Sequence, residues 1–352
     1  MPGSRWVNPF LLAMAVAAAV GCSGVRAIPT VVAPALIGRL VWEVSLPGED
    51  LDFGVATGEI NGSDPEVVVA DKRGFKVFDS NGHAVGQATL NSQLGRSIVL
   101  GQLDGRADVV QFDAAWGHDV QAFDLEGKRL WVFSAGSSGI DGVATVRLDS
   151  RNTGYLIGYN GGGVELLGAD GKRLWRQEVN GNVLWVTGLG GGGSSPALAV
   201  CVGPSDNALA FDLAGKVAKE FKTGEIGAVG ATNLDGDGSE ELLTLGTTVS
   251  SGLSLSVFNK DGSLKWSHPA NGTSTAFLNR PFLFGSFGAT GPLLGAADGG
   301  GLLFFKPDGT VFGTFKSKEL ISSAAVLHRK AKPDLIVLRL ANRLRCYELG
   351  VK

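Results

Sequence analysis

Runs of alternating apolar and polar residues recur along most of this chain, and each run ends in a short turn that closes with glycine. One run ends with Phe-Asp-Ser-Asn-Gly at residues 78–82, and a second short strand pattern follows the turn. A near-continuous apolar run lies upstream, for example at residues 66–70 or 241–245, and a segment of small residues precedes it. Alternation predicts half-buried strands, continuous apolar runs predict strands buried on both faces, and glycine permits the positive φ of a tight hairpin. The pattern predicts an all-β chain built from units of four strands.

The turn glycines fall at a regular interval. They occupy positions 82, 127, 171, 215, 262 and 309, which are 45, 44, 44, 47 and 47 residues apart. A period of roughly 44 residues is the size of a four-stranded blade of a β-propeller. The last unit supplies only three strands, and residues 39–44 supply an outer strand that no other unit uses; the three strands lie around residues 323–326, 334–338 and 343–347.

The two ends of the chain decide the predicted number of blades. Six complete units and one unit shared between the ends make seven blades, and sharing removes the open sheet edges that promote aggregation. We therefore predict an all-β propeller of seven four-stranded blades, closed by pairing of its N- and C-terminal strands. Six or eight blades are the alternatives, because the fourth and sixth units are irregular.

The first two dozen residues have a different pattern. Arg5 precedes an apolar, alanine-rich run at residues 10–20, and small residues around Cys22 end it. This order is typical of a signal peptide, and the run is too short for a stable membrane span. The sequence Ala-Val-Gly-Cys at residues 19–22 resembles the lipobox of bacterial lipoproteins, in which the cysteine carries the lipid; an ordinary signal peptide is the alternative. We predict a signal peptide with lipobox at residues 1–21, a linker from the lipidated Cys22 at 22–37 and the propeller at 38–352.

Composition and charge narrow the class of protein. The chain has 31 Lys and Arg against 34 Asp and Glu, a formal net charge of -3, and its body carries no basic cluster. This balance argues against nucleic acid as a partner, because phosphate binding needs a concentrated basic surface. No second apolar span follows the first, so the predicted contact with the membrane is the lipid anchor alone. Cys201 and Cys346 lie inside strand patterns of different units, and we expect both to be buried free thiols.

One loop, residues 233–241, has the residue types and spacing of a calcium site, and we call it the acidic loop. Oxygen-bearing side chains occupy alternate positions with glycines between them; the predicted ligands are Asn233, Asp235, Asp237 and Glu241, with a backbone carbonyl near Ser239. Ca²⁺ binds such oxygen-rich loops, and three carboxylates this close repel one another without a cation. A solvated acidic turn is the alternative. Counterparts at residues 59–66, 102–108 and 147–151 keep only part of the pattern.

Two phrases carry a resemblance to known repeat families. The acidic loop and the Leu-Leu-Thr-Leu that follows its last carboxylate resemble FG-GAP/VCBS propeller repeats, which implies a Ca²⁺-binding loop between the first two strands of a blade. The Asp-x-x-Gly-Lys-x-Leu-Trp phrase at residues 124–131 resembles PQQ-binding-like propeller repeats. Together the resemblances cover roughly residues 38–350. They imply the propeller fold, whereas activity transfers poorly from a fold. We expect Trp131, Trp175 and Trp266 to pack between blades.

Loops at the mouth of the channel, which join second to third strands and successive blades, are the predicted binding surface. Residues 113–119 include Trp116 and His118, and an exposed tryptophan can stack on a sugar or contact a peptide. We predict a monomeric, non-enzymatic binding or scaffold lipoprotein of the bacterial cell envelope, on the periplasmic or surface side, with protein or polysaccharide as partner. The alternatives are a carbohydrate-active, lyase-like enzyme and a quinoprotein-like propeller. The first needs converging His, Lys, Arg or Tyr, in which these loops are poor, and the second lacks its adjacent cysteine pair.

Overall fold

The computed structural model describes residues 33–46, 54–59, 65–71, 74–89, 97–112, 117–190, 197–203, 207–248, 252–270, 282–288, 291–298 and 301–351. The predicted signal peptide, Cys22 and most of the predicted linker lie outside the described residues. Each named element in the described part of the chain is a β-strand. No helix among these residues is long and apolar enough to cross a membrane.

The described strands form seven four-stranded antiparallel sheets, which are the blades of a β-propeller. The first strand, β1 (Leu36–Ser45), belongs to the last blade. Blade 1 contains β2 (Val55–Glu59), β3 (Pro65–Asp71), β4 (Gly74–Phe78) and β5 (Ala84–Thr89). Blade 2 contains β6 (Ser97–Leu103), β7 (Arg106–Phe112), β8 (Asp119–Phe123) and β9 (Arg129–Ser134). Blade 3 contains β10 (Ile140–Arg147), β11 (Thr153–Tyr159), β12 (Val164–Leu167) and β13 (Arg173–Gln177).

The remaining blades follow the same order, and the last one joins the two ends of the chain. Blade 4 contains β14 (Trp185–Leu189), β15 (Leu198–Val202), β16 (Asn207–Phe211) and β17 (Val217–Lys222). Blade 5 contains β18 (Glu225–Thr232), β19 (Glu241–Thr248), β20 (Gly252–Phe258) and β21 (Leu264–Pro269). Blade 6 contains β22 (Phe282–Ser286), β23 (Pro292–Asp298), β24 (Gly301–Phe305) and β25 (Val311–Lys316). Blade 7 combines β26 (Ser323–Leu327), β27 (Leu335–Leu340) and β28 (Arg343–Val351) with β1, which confirms the predicted seven-bladed fold.

The strand order within a blade defines two faces of the ring. Each blade runs from a first strand at the channel to a fourth strand at the outer edge. Because neighbouring strands are antiparallel, the loops between first and second strands lie at the same end as the turns between third and fourth strands. We call this end the upper face. The lower face carries the loops between second and third strands and the links from one blade to the next.

Pairing of β1 with β28 closes the ring. The register starts with Leu36 opposite Val351 at the upper face and continues to the end of β1, with one bulge. Arg39 forms an ion pair with Glu348 across this joint, so charges of opposite sign also face each other. The predicted closure by the two ends of the chain is confirmed, and β1 begins two residues before the predicted start of the propeller.

We call the contact between two neighbouring blades a seam. At four seams, a tryptophan on the fourth strand of one blade is hydrogen-bonded to the next blade. Its Nε1–H donates to a backbone oxygen in the turn of the next blade at 2.9–3.0 Å; the pairs are Trp42–Ser80, Trp131–Ala169, Trp175–Leu213 and Trp266–Pro307. The indole also covers the turn glycine, because a Cβ on Gly171 would lie 2.5 Å from Trp131. Gly171 has a φ of 76°, so glycine is needed both for the turn and for the indole. The predicted packing of Trp131, Trp175 and Trp266 between blades is confirmed.

At the seam between blades 6 and 7, the segment before β1 takes the place of the tryptophan. Gly313 stands four residues after the turn glycine of blade 6, at the position where four other seams have tryptophan. A Cβ at Gly313 would lie 2.7 Å from the Leu36 side chain and 2.9 Å from the Pro34 oxygen. The Thr314 N–H donates to that same oxygen at 2.8 Å. Residues 34–36 therefore hold the outer strands of two neighbouring blades together.

Seven apolar clusters fill the seven seams of the described ring, and each draws its residues from two neighbouring blades. Successive residues of a second strand enter opposite clusters. In β27, Ile336 packs toward blade 6 and Val337 packs toward blade 1, and both are fully buried. This geometry explains the continuous apolar runs in the sequence, because both faces of the strand meet a neighbouring sheet.

Both cysteines of the described residues are free and buried. Cys201 lies in the seam between blades 3 and 4, and Cys346 lies beside Trp42 in the seam between blades 7 and 1. Burial raises the pKa of each thiol to about 12. The expectation of two buried free thiols is confirmed.

Deleting residues 1–50 tests the closure. The deletion removes Leu36 and Trp42 from two seams and leaves β28 as an open edge. Truncating one buried side chain of this size costs about 2–5 kcal/mol, so we expect aggregation or a much lower melting temperature in calorimetry. A chain that starts at Ala33 keeps β1 and is the control. Equal melting temperatures for the two chains would contradict this account of the closing strand.

Candidate functional site

A central channel lies between the first strands of the blades. Its cavity has a volume of about 620 Å³, which is within the usual range for small-molecule pockets. All seven first strands contribute to the wall, through residues that include Thr57, Val99, Thr145, Thr187, Val229, Phe284 and Ala325. Both threonines and apolar residues line the wall, and the Thr57 hydroxyl donates to the Val326 backbone oxygen at 2.7 Å.

Charged and titratable side chains collect at the upper end of this channel. Arg147 ends β10, Glu240 precedes β19 and His328 follows β26, and all three line the cavity. They come from blades 3, 5 and 7, so only the closed ring brings them around one opening. Sequence reasoning missed them because it placed the binding mouth at the opposite face. Their shared position in the repeat, next to the loop between the first and second strands of a blade, is the sequence feature that could have indicated them.

Two of these groups are bonded to neighbouring backbone or side chains. Glu240 Oε2 accepts a hydrogen bond from the Gly190 N–H of blade 4 at 2.5 Å. His328 Nδ1 lies 3.1 Å from Asp334 Oδ2, which also accepts from the Ser286 N–H of blade 6 at 2.7 Å. Burial opposes ionisation of Asp334, but its bonds with His328 and Ser286 outweigh burial and lower its pKa. The upper rim thus links blade 4 to blade 5 and blade 6 to blade 7.

The acidic loop lies on the upper face between β18 and β19. Leu234 is fully buried and fixes the start of the loop, while Gly236 and Gly238 adopt positive φ of 73° and 87°. Asp237 is exposed and its Oδ1 accepts from the Ser239 N–H at 2.7 Å. Asn233 Oδ1 is a buried oxygen that has no hydrogen-bond partner within the described structure.

Two of the predicted calcium ligands converge on an ammonium group. Lys265 Nζ donates to Glu241 Oε1 at 2.8 Å and also forms an ion pair with Asp235. The other carboxylate oxygen of Glu241 accepts from the Leu234 N–H at 2.8 Å, and Glu241 is only 3% exposed. Burial opposes the charge of Lys265, but its carboxylate partners outweigh burial and raise its pKa. Among the described residues, no three His, Cys, Asp or Glu are grouped to hold a metal ion, and calcium binding here stays a prediction.

Four blades have a buried carboxylate within three residues of the start of the second strand; these residues are Glu66, Asp108, Glu241 and Asp334. In blade 2, Asp108 Oδ2 accepts from the Tyr155 hydroxyl of blade 3 at 2.5 Å, whereas Asp108 Oδ1 is buried without a hydrogen-bond partner. Burial raises the pKa of Asp108 to about 6. In these blades the loop between the first and second strands is followed by a buried carboxylate, as the acidic loop of blade 5 is followed by the buried Glu241.

The predicted binding residues of the lower face are only partly described. Trp116 lies outside the described residues. His118 is exposed, and its Nδ1 lies 2.9 Å from the Ser138 oxygen, to which it can donate. The His118 backbone oxygen accepts from the Ala135 N–H at 2.7 Å, which fixes this loop against the link to blade 3.

Ring closure, blade number and channel define the chain as a seven-bladed β-propeller. Comparison with solved structures finds 876 matching chains. The crystal structure of BBS1N in complex with ARL6DN, soaked with lead, matches with a TM-score of 0.66 and 9% identity, over 89% of this chain and 97% of that chain. The mercury-soaked form of the same complex matches with a TM-score of 0.66 and 11% identity over the same shares. At such identities the likeness shows the fold alone.

Comparisons by sequence add no family. No family model matches this chain, and no curated protein sequence matches it. The resemblance to FG-GAP/VCBS and PQQ-binding-like repeats therefore stays a prediction. Because a shared fold does not select an activity, function has to be argued from the residues of this chain.

Replacing Asp108 by Asn tests the buried carboxylate. The folded-state pKa of about 6 lies above the ordinary value, so the folded state binds more protons between about pH 4 and pH 6, and stability falls as pH rises through that window. Asparagine cannot ionise and should remove this fall. Relative to Asp108→Asn, the wild type should lose up to about 3 kcal/mol of unfolding free energy from pH 4 to pH 7 in urea titrations. Parallel pH profiles for the two proteins would contradict a raised pKa of Asp108 in the folded state.

Proposed function

We propose that this chain is a non-enzymatic binding or scaffold propeller of the bacterial cell envelope, held to the membrane by a lipid on Cys22. The proposal rests on the hydrogen bonds made by the titratable side chains at the upper end of the channel. Glu240 accepts from Gly190 of the neighbouring blade, and His328 is bonded to Asp334, which accepts from Ser286 of the neighbouring blade. Both titratable groups are thus tied to contacts between blades. A rim committed to holding blades together supports a rigid platform for binding loops better than it supports a reaction centre.

The proposed partner is a protein or a polysaccharide of the envelope. BBS1N, a structural neighbour, was crystallised in complex with ARL6DN, and this supports protein binding in general. The proposed contact residues are Trp116 and His118, which lie in the sequence between β7 and β8, because aromatic side chains bury large areas at binding surfaces and contribute strongly to affinity. His118 is exposed there.

The path of the chain supports the lower face as the presented one. β1 begins at the upper face, where Leu36 pairs with Val351. The described chain therefore enters the ring at the upper face. The lower-face loops lie at the opposite end of the ring from this entry.

Fractionation and cross-linking of the full chain test this function. Wild type should fractionate with membranes, because several acyl chains bind a bilayer far more tightly than one, whereas Cys22→Ser should be soluble or stay unprocessed. Cross-linking on intact cells should capture one defined protein or polysaccharide with wild type, and Trp116→Ala should reduce the yield. Cys201→Ala is the matched thiol control and should behave as wild type. Cys22→Ser protein of mature size in the membrane fraction would contradict the lipid anchor, and unchanged capture by Trp116→Ala would contradict the lower-face contact.

Calcium at the acidic loop is the second part of the proposal. The donor chemistry fits a hard cation, since the loop offers carboxylates and one buried amide oxygen, Asn233 Oδ1, that lacks a partner in the described structure. Asp235, Asp237 and Glu241 would supply the carboxylates. Bound calcium would neutralise the loop and fix its shape. No chemical step is assigned to it.

Calcium titration followed by thermal unfolding tests this part. A site formed only in the folded state stabilises it by about 2.7 kcal/mol at a hundredfold excess over the dissociation constant, so calcium should raise the melting temperature and a chelator should lower it. Asp237→Asn should remove the response without unfolding the protein, because Asp237 is exposed. Asp261→Asn, on the turn of the same blade, is the control. Magnesium should substitute poorly because it demands octahedral geometry. Absence of calcium binding by calorimetry at millimolar metal would reduce the loop to an acidic turn.

A further inference from the structure

Each blade has a β-bulge in the fourth strand; in blades 1 to 6 it directly follows the turn after the third strand, and in blade 7 it lies within β1. In blade 5, Val257 pairs with Trp266 and Phe258 pairs with Leu264, so Lys265 is the extra residue of the bulge. The same register shift in the other six blades leaves an apolar extra residue; these are Val41, Val85, Leu130, Leu174, Ala218 and Phe312. Lysine occupies the bulge only in the blade with the complete acidic loop.

The bulge directs this lysine toward the loop. Val85 and Leu174, at the same position in blades 1 and 3, are each 53% exposed. The Lys265 side chain is only 20% exposed, and its ammonium group lies between Asp235 and Glu241. A bulge re-aims a side chain, and all seven blades share this bulge. The exchange of an apolar residue for lysine in blade 5 therefore changes the side chain at this position and keeps the backbone pattern of the strand.

The physical need for a positive charge at this place is clear. The Glu241 side chain is 4% exposed, and a buried carboxylate requires a counter-charge or strong hydrogen bonds. Lysine carries a compact charge on a flexible stem, which lets it reach such a pair from the outer strand. A calcium ion at this loop would use the same oxygens of Asp235 and Glu241. The ammonium and the metal cannot both occupy the space between them.

We infer that Lys265 is a tethered counter-ion of the acidic loop and competes with calcium for Asp235 and Glu241. This inference rests on the calcium site of the proposed function and assigns the residue that sets its affinity. Calcium binding has to release the Lys265 ammonium group. Without calcium, the lysine keeps the loop in its folded shape.

Calorimetric calcium titrations of wild type, Lys265→Gln and Lys222→Gln test the inference in the full mature chain. Lys222 is an exposed lysine on the fourth strand of blade 4 and controls for the loss of one positive charge. Lys265→Gln should bind calcium at least about tenfold more tightly than wild type, which corresponds to about 1.4 kcal/mol. In a chelator it should melt below wild type, and calcium should restore its melting temperature. Lys222→Gln should match wild type in both measurements.

The outcomes separate the inference from the calcium site itself. Equal calcium affinity of wild type and Lys265→Gln would overturn the competition and leave the site standing. Binding by Lys265→Gln alone would support the competition and show that wild type keeps calcium out. No binding by either folded protein would overturn both.

A second measurement covers the case in which Lys265→Gln does not fold. Wild type with ¹³C-methylated lysines gives one NMR signal for each lysine, and saturating calcium should shift the Lys265 signal while the Lys222 signal stays in place. Calcium that binds without moving the Lys265 signal would overturn the inference.

Discussion

Closure of the ring is the constraint on which the rest of this structure depends. Every blade buries both faces of its sheet against neighbours, so no blade has a complete core of its own. An open ring would expose two such faces and a free sheet edge at once. The chain avoids this by sending β1 into the last blade, where it pairs with β28. The channel and its charged rim exist only because that pairing holds.

The seams show how a repeated fold tolerates a divergent sequence. The space beside the turn glycine is filled by an indole at four seams and by the Lys219 side chain beside Gly262. At another seam, Leu36 and Pro34 fill the space beside Gly313 of the fourth strand. The buried carboxylate at the start of a second strand likewise finds a tyrosine, a histidine or a lysine as its partner. The space beside the glycine and the buried carboxylate recur in several blades, whereas the residue that fills the space or pairs with the carboxylate differs from blade to blade.

The sequence was sufficient for the fold and only partly sufficient for the candidate site. Three local features of the sequence predict seven blades and their closure: the regular spacing of glycines, the continuous apolar runs, and a strand pattern at residues 39–44 that belongs to no complete unit. Each of them indicates a strand or a turn from neighbouring residues alone. Lys265 could not be placed beside Asp235 in the same way, since their contact depends on a bulge in the outer strand. Arg147, Glu240 and His328 come from three blades, and only ring geometry brings them to one opening. The partner of each indole is a backbone oxygen, which sequence does not reveal.

Burial of Cys201 and Cys346 has a consequence for the reactivity of the two thiols. Disulfide exchange and oxidation proceed through the thiolate, and a thiol with a pKa of about 12 that is shielded from solvent supplies almost none of it at neutral pH. The two thiols lie in different seams and are not bridged. The blades are therefore held by packing and hydrogen bonds whose strength does not depend on redox potential. The described ring thus contains no disulfide that a reductant could break.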